Sequence, residues 1–165
     1  MALLNIRQAG DELLRKKSRT VADISPKIIT LLDDMKETLT GVDGIGLAAP
    51  QVGVLRRVVV ISHGEMYYEL INPEITDRRD VQNKQEACLS VPGKKGLVER
   101  PAYIRAKATN RDGEEYEIEG EDIIAIAVCH EIDHLDGILF IDRATELYEI
   151  DPEPEDEDDG DEEDY

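Results

Sequence analysis

The sequence has little cysteine: only Cys88 and Cys129 among 165 residues. That excludes a disulfide framework as the source of its stability. No apolar run approaches the length that spans a bilayer. The opening residues, Met1-Ala2-Leu3-Leu4-Asn5-Ile6-Arg7, turn polar too early for the apolar core of a secretory signal. No internal repeat is present. These absences are those of a soluble protein of a reducing compartment, the cytoplasm, with no membrane partner. Basic residues are also few, 19 Lys and Arg against 38 Asp and Glu, for a formal charge of −19. Much of that charge is local. Residues 151–165 carry 11 acidic residues and no basic one, and without them the net is −8. A segment with nothing apolar to bury and charges of one sign does not fold alone. We expect a folded domain over 1–148 and an acidic, disordered tail over 149–165. The body is still acidic, which argues against broad nucleic-acid binding.

Residues 11–17 have the pattern of a short helix. A stronger helix follows, with Ser25 as its cap, Pro26 in its first turn, Ile28, Leu32, Met35 and Leu39 as its apolar stripe, and Gly41 at its end. Strands are expected at 57–62, 67–75, 98–109 and 115–118, the last two joined by a turn at Asn110-Arg111-Asp112-Gly113. An apolar helix over 121–135 closes the domain. Strands clustered between helices, without regular alternation, predict an α+β fold with antiparallel sheets packed around that last helix.

Residues 130–134, His-Glu-Ile-Asp-His, carry the clearest chemistry. Two histidines four apart on a helix share one face, so their imidazoles can converge on one metal ion. Glu131 is then placed to act as a general base on metal-bound water. His130 and His134 continue the stripe of Ile123, Ile126 and Ala127. The histidines therefore extend the buried face of the helix, where unpaired polar groups are costly. A tight site needs a third ligand. His63, the only other histidine, is read as an exposed loop residue. Cys88, between a strand and a turn, is favoured. Cys129 precedes His130 directly and points about 100° away from it around the helix. Two imidazoles and a thiolate leave a fourth position open, as catalytic sites do.

Gly44-Ile45-Gly46-Leu47-Ala48-Ala49-Pro50-Gln51, Glu86-Ala87-Cys88-Leu89-Ser90 and His130-Glu131-Ile132-Asp133-His134-Leu135-Asp136-Gly137 resemble the three signature motifs of the peptide deformylase family, in its order and spacing. The resemblance extends over about residues 4–147. It implies a metal-dependent hydrolase that removes the formyl group from the N-terminal formyl-methionine of newly made chains. Cys88, His130 and His134 would hold the metal. Glu131 would take a proton from metal-bound water and pass it to the leaving amine. The metal, the Leu89 backbone N–H and the Gln51 side-chain amide would stabilise charge on the formyl oxygen. Gly46 would offer backbone hydrogen bonds to the peptide. Ile123, Ile126 and Ala127, on the ligand face of the helix, would line a pocket for methionine, with Ile45 opposite. Glu86 and Arg100 resemble a structural charged pair near this pocket. The donor set suits zinc, ferrous iron, nickel or cobalt; the resemblance points to Fe(II) in the cell, with zinc, nickel or cobalt in preparations. The resemblance implies formyl-methionyl nascent peptides as partners, with the ribosome near its exit site as the expected setting.

Two positions depart from the family pattern: Ala87 stands where glycine is usual, and Cys129 where glutamine is usual. Ala87 restricts the backbone of the loop carrying Cys88. Competing readings are a metallopeptidase, a non-catalytic binding protein with a metal staple, and an acidic tail that docks a basic surface. The cysteine ligand and the Gly-Leu-Ala-Ala-Pro-Gln loop argue against the first. The presence of both Glu131 and Gln51 argues against the second.

Overall fold

A computed structural model describes residues 2–150. The expected tail lies outside those residues except for Glu149 and Ile150. Among the described residues six strands form one hydrogen-bonded antiparallel network: β1 (Gly46–Ala48), β2 (Val58–His63), β3 (Met66–Cys88), β4 (Val91–Thr109), β5 (Glu115–Glu121) and β6 (Glu146–Glu149). Their order is β1-β2-β3-β4-β5, and β6 pairs with β4. Helices α1 (Pro26–Thr40), α2 (Ile123–Leu135) and α3 (Phe140–Arg143) complete the domain. This is the predicted α+β class. Among the described residues no helix is long and apolar enough to cross a membrane.

The alternation of β2 explains the layering. Val59 and Ile61 face the core under α2, while Val58 and Val60 face the core under α1. Successive strand side chains point to opposite faces, so a strand between two helices must be apolar on both. Each fully buried Val, Leu or Ile there contributes about 1.5–3 kcal/mol relative to exposure. A third cluster of Val91, Val98, Leu139 and Phe140 packs against Cys88.

The expected α1 is present, and its predicted stripe is buried. Ser25 occupies the cap position, but only its carbonyl engages the helix, accepting from the N–H groups of Ile28 and Ile29. The turn at 110–113 joins β4 to β5, with the Gly113 N–H donating to Asn110 O and Asn110 Oδ1 accepting from Asp112 and Glu114. The strands expected at 67–75 and 98–109 prove to be parts of much longer ones, of 23 and 19 residues. The polar run 76–85 lacks alternation, yet β4 supplies its ladder partners. Register shifts at Ile71/Glu74, Ile75/Asp77 and Glu86/Cys88 interrupt the pairing; such bulges bend a strand.

The N-terminal helix expected at 11–17 is a single 3-10 turn, Glu12–Arg15, capped by the Asp11 side chain. The backbone around it is used elsewhere. The Arg7 N–H donates to Gln51 O at 2.6 Å, the Ala9 N–H to Ser90 O at 2.6 Å and the Ser18 N–H to Leu135 O at 2.7 Å. One short segment thus bonds to the loop of Gln51, the turn after Cys88 and the end of α2.

Gly137 follows α2 at φ +77, where a Cβ would lie 2.4 Å from the Arg15 carbonyl oxygen. Both the left-handed backbone and the close approach demand glycine. Gly137→Ala is expected to lower the unfolding free energy by about 2–4 kcal/mol, read by chemical denaturation.

Candidate metal centre

The helix α2 and the end of β3 meet at the centre. His130 and His134 stand one turn apart, with ring centroids 5.1 Å apart. Cys88 ends β3, just before the turn Leu89-Ser90. One ligand atom from each of Cys88, His130 and His134 lies within 4.8 Å of the others. The Cys88 Sγ to His134 Nε2 distance is 3.4 Å. Ligands at zinc-like bond lengths in a tetrahedron would put sulfur and nitrogen about 3.6 Å apart, so this spacing fits a shared ion. Cys129 is absent from the cluster. It is buried in the core under α2, and burial pushes its thiol pKa up to about 11.

The second nitrogen of His130 is committed, since its Nδ1 lies 2.9 Å from Glu86 Oε1. That fixes the ring and leaves Nε2 for a metal. Glu86 is itself gripped by Arg100, with Nε–Oε2 at 2.8 Å and NH2–Oε1 at 3.0 Å. Arg100 NH1 reaches Asp133 Oδ2 at 2.7 Å, and Arg143 closes on the same carboxylate. Phe140 stacks on the far side of His130 at 6.2 Å. His134 is fully buried, and its Nδ1 has no hydrogen-bond partner among the described residues. Burial, then the charges of His130 and Arg100, hold its pKa well below the ordinary value, so the ring is a neutral donor. Burial also works against a proton on His130, but bonds to Cys88 and Glu86 outweigh it and push its pKa up to about 10. A proton therefore competes with any metal for that nitrogen.

Glu131 lies beside the cluster, 5% exposed, with Oε1 unpartnered among the described residues. Burial raises its pKa to about 7, against the lowering effect of His130. Gly46 passes directly over this carboxyl: a Cβ there would sit 2.7 Å from Glu131 Cγ and Oε2. Gln51 belongs to the 3-10 turn Ala49–Val52 and is buried. Its Oε1 accepts from the Ala48 N–H at 3.0 Å; its Nε2 donates to Ser90 Oγ at 3.1 Å and lies 3.8 Å from Cys88 Sγ.

A cavity of about 910 Å³ opens onto this group. Ile45, Gly46, Gln51, Cys88, Leu89, Ile123, Ile126, Ala127, His130 and Glu131 all line it. His134 does not; it lies behind Cys88. Ile123 is 43% exposed, at the mouth of the cavity, rather than on the buried face that periodicity assigned to it. His63 is exposed as expected, but it ends β2 and lines the cavity. Ala87 is not among the residues with positive φ, so alanine occupies that position without left-handed strain. Sequence reasoning missed Ser90 and Asp133. Ser90 pairs with a residue 39 positions away, for which no local signal exists. Asp133 had one, since it lies within the motif as the residue before His134.

A neutral imidazole, a second imidazole steered by a carboxylate, a cysteine sulfur and a buried carboxyl beside them form a donor set of the kind metal-dependent hydrolases use. The comparisons give the family. Residues 3–149 match the model of polypeptide deformylase. Peptide deformylase 1 of Clostridium acetobutylicum is 56% identical over 146 residues, 88% of this chain and 97% of that protein. Peptide deformylase of Acetivibrio thermocellus is 54% identical over 151 residues, 92% of this chain and 89% of that one. Among solved structures, the peptide deformylase of Thermotoga maritima superimposes with a TM-score of 0.82 at 38% identity, covering 91% of this chain and 99% of that one. That of Synechococcus elongatus in complex with actinonin gives 0.82 at 36% identity, covering 86% and 78%. The chain belongs to the polypeptide deformylase family.

Because Gly46 leaves no room above Glu131, Gly46→Ala is expected to displace that carboxyl while leaving the fold intact. Turnover should fall about 100-fold, as misplacing a reacting group by about an ångström does. Steady-state kinetics beside a denaturation curve check this.

Proposed function

We propose that this chain removes the formyl group from the N-terminal formyl-methionine of new polypeptides and releases formate. The observation that carries the reading is the Cys88, His130 and His134 cluster, of which Cys88 and His130 line the cavity, with a buried carboxyl beside it whose Oε1 is unpartnered among the described residues. The donors suit a divalent ion: a neutral His134, a His130 with only Nε2 to offer, and a sulfur at ligand spacing. A divalent ion held there would polarise the formyl carbonyl and lower the pKa of water.

Glu131 accepts a proton from the attacking water and delivers it to the leaving amine. A carboxyl titrating near 7 can do both at neutral pH. The Gln51 amide and the Leu89 backbone N–H face the charge that develops on the formyl oxygen. Gln51 Oε1 is occupied by the Ala48 N–H, so the amide presents its nitrogen to the site. Gly46 bonds the peptide backbone, and Ile45, Ile123, Ile126 and Ala127 receive the methionine side chain. One thiolate and two imidazoles accept several divalent ions, of which we assign Fe(II) in the cell. The catalytic unit is 1–148, the compartment the cytoplasm and the setting the ribosome near its exit site.

Protein prepared without oxygen and loaded with Fe(II) or Ni(II) is expected to release formate from N-formyl-Met-Ala-Ser and to leave unformylated Met-Ala-Ser intact. Glu131→Gln should bind one metal and lose about 10²–10⁴-fold in kcat. Release by Glu131→Gln at the parent rate would remove Glu131 from its role. In a separate metal analysis, Cys88→Ala and His134→Ala should lose the ion, and a fully loaded His134→Ala protein would contradict the ligand assignment.

A further inference from the structure

Asp133 sits on α2 beside His134, yet its carboxylate is directed at Arg100 rather than into the cavity. Its Oδ2 accepts from Arg100 NH1 at 2.7 Å and from Arg143 Nε at 2.6 Å, and its Oδ1 accepts from Arg143 NH2 at 3.1 Å. Arg100 spends its other donors, Nε and NH2, on both oxygens of Glu86. Glu86 Oε1 then meets His130 Nδ1. The path leaves α2 at Asp133, crosses β4 and β3, and returns to α2 one turn earlier. Its side chains are nearly dry, with Glu86 at 3%, Arg100 at 4% and Asp133 at 13% exposure, whereas Arg143 is 45% exposed.

The charges do not cancel inside this group. Glu86 and Asp133 bring two negative charges and Arg100 one positive. Arg143 stands largely in solvent, where its charge is screened. Leaving His130 aside, a surplus of one negative charge therefore lies against that ring, to be answered by a proton on it or by a metal ion beside it. Such a surplus is unfavourable unless a cation sits close by. The side of His130 opposite Glu86 faces Cys88 and His134.

We propose that Asp133 is a positioning residue for the metal centre, sharing Arg100 with Glu86 so that Glu86 keeps enough negative charge to hold His130 and to favour a divalent cation. The inference rests on the metal-site reading above. Without the Asp133 charge, Arg100 is left to Glu86 alone. Glu86 becomes the poorer acceptor for His130, and the buried surplus vanishes. Both changes weaken metal binding in the same direction.

The test uses the full chain loaded with Co(II) in the absence of oxygen. Affinity is read by competition with a chromophoric chelator, and ligand geometry by the thiolate-to-cobalt and d–d absorption bands. Asp133→Asn keeps the shape and loses the charge; it is expected to bind Co(II) about 10–100-fold more weakly, with shifted bands. Arg143→Ala removes only the exposed tie to α3 and should stay within about twofold of the parent. Arg100→Lys keeps the charge but lacks the fork that holds both Glu86 oxygens and Asp133 at once, and should weaken binding as Asp133→Asn does. It decides the matter in the same terms if Asp133→Asn does not fold. Parent-like affinity and spectrum in a folded Asp133→Asn protein would overturn the proposal. So would an Arg143→Ala protein as weak as Asp133→Asn, because Asp133 would then only be tying α2 to α3. A parent that takes up no Co(II) would instead overturn the metal-site reading and this proposal with it.

Discussion

The bidentate pair of Arg100 and Glu86 is the constraint on which the centre depends. Histidine, cysteine and glutamate side chains are gathered where an aliphatic core would otherwise close. Each is expensive to desolvate unless another group answers it. Glu86 answers His130, and Arg100 answers Glu86. Burial alone would raise the Glu86 pKa, yet hydrogen bonds from His130 and Arg100 hold it below the usual carboxylate range. Losing Arg100 would leave a buried carboxylate without its counter-ion, a far greater loss than the pair's net contribution. Because β3 carries Glu86 and β4 carries Arg100, the pair also ties the two longest strands together just before Cys88.

The division of labour among the three apolar clusters follows from this. The core under α1 holds the sheet and, through Leu47 and Ala49, the backbone between Gly46 and Gln51. The core under α2 fixes the helix axis and therefore the azimuth of both histidines. The small cluster around Phe140 and Leu139 supports Cys88 from one side and His130 from the other. A ligand set drawn from one helix and one strand end keeps its spacing only if the contact between those elements is rigid. That contact is made here by aliphatic packing and the charged chain together.

Much of this was legible in the sequence, for reasons that differ by element. The apolar stripe of α1 and the closing helix were readable because burial imposes a helical period. The Asn-Arg-Asp-Gly turn was readable because Gly113 supplies a positive φ. The convergence of His130 and His134 was readable because residues four apart on a helix share a face, and that of Cys88 from its place at a strand end. The outer half of β3 was not readable. Its residues 76–85 are polar, and what makes them a strand is the ladder offered by β4, a partner no local window contains. The 3-10 turn in place of an N-terminal helix failed for the same reason. Residues 7–18 have a local preference, but three distant carbonyls claim their backbone. The Ser90 bond to Gln51 left no pattern at all, whereas Gly46 was visible in its motif, although the neighbour it makes room for was not.

That N-terminal segment gives the chain a timetable. Arg7, Ala9 and Ser18 leave a ribosome early, whereas the carbonyls they bind belong to Gln51, Ser90 and Leu135. Synthesis runs from the N-terminus, and early segments begin to organise while later ones are still unmade. The bond from Ser18 to Leu135 can form only after α2, with both histidines, has been made. Cys88, His130 and His134 can therefore come together only once α2 has been made, after β1 to β5. A protein proposed to trim other chains thus holds its own early segment against the three places from which its candidate metal site is built.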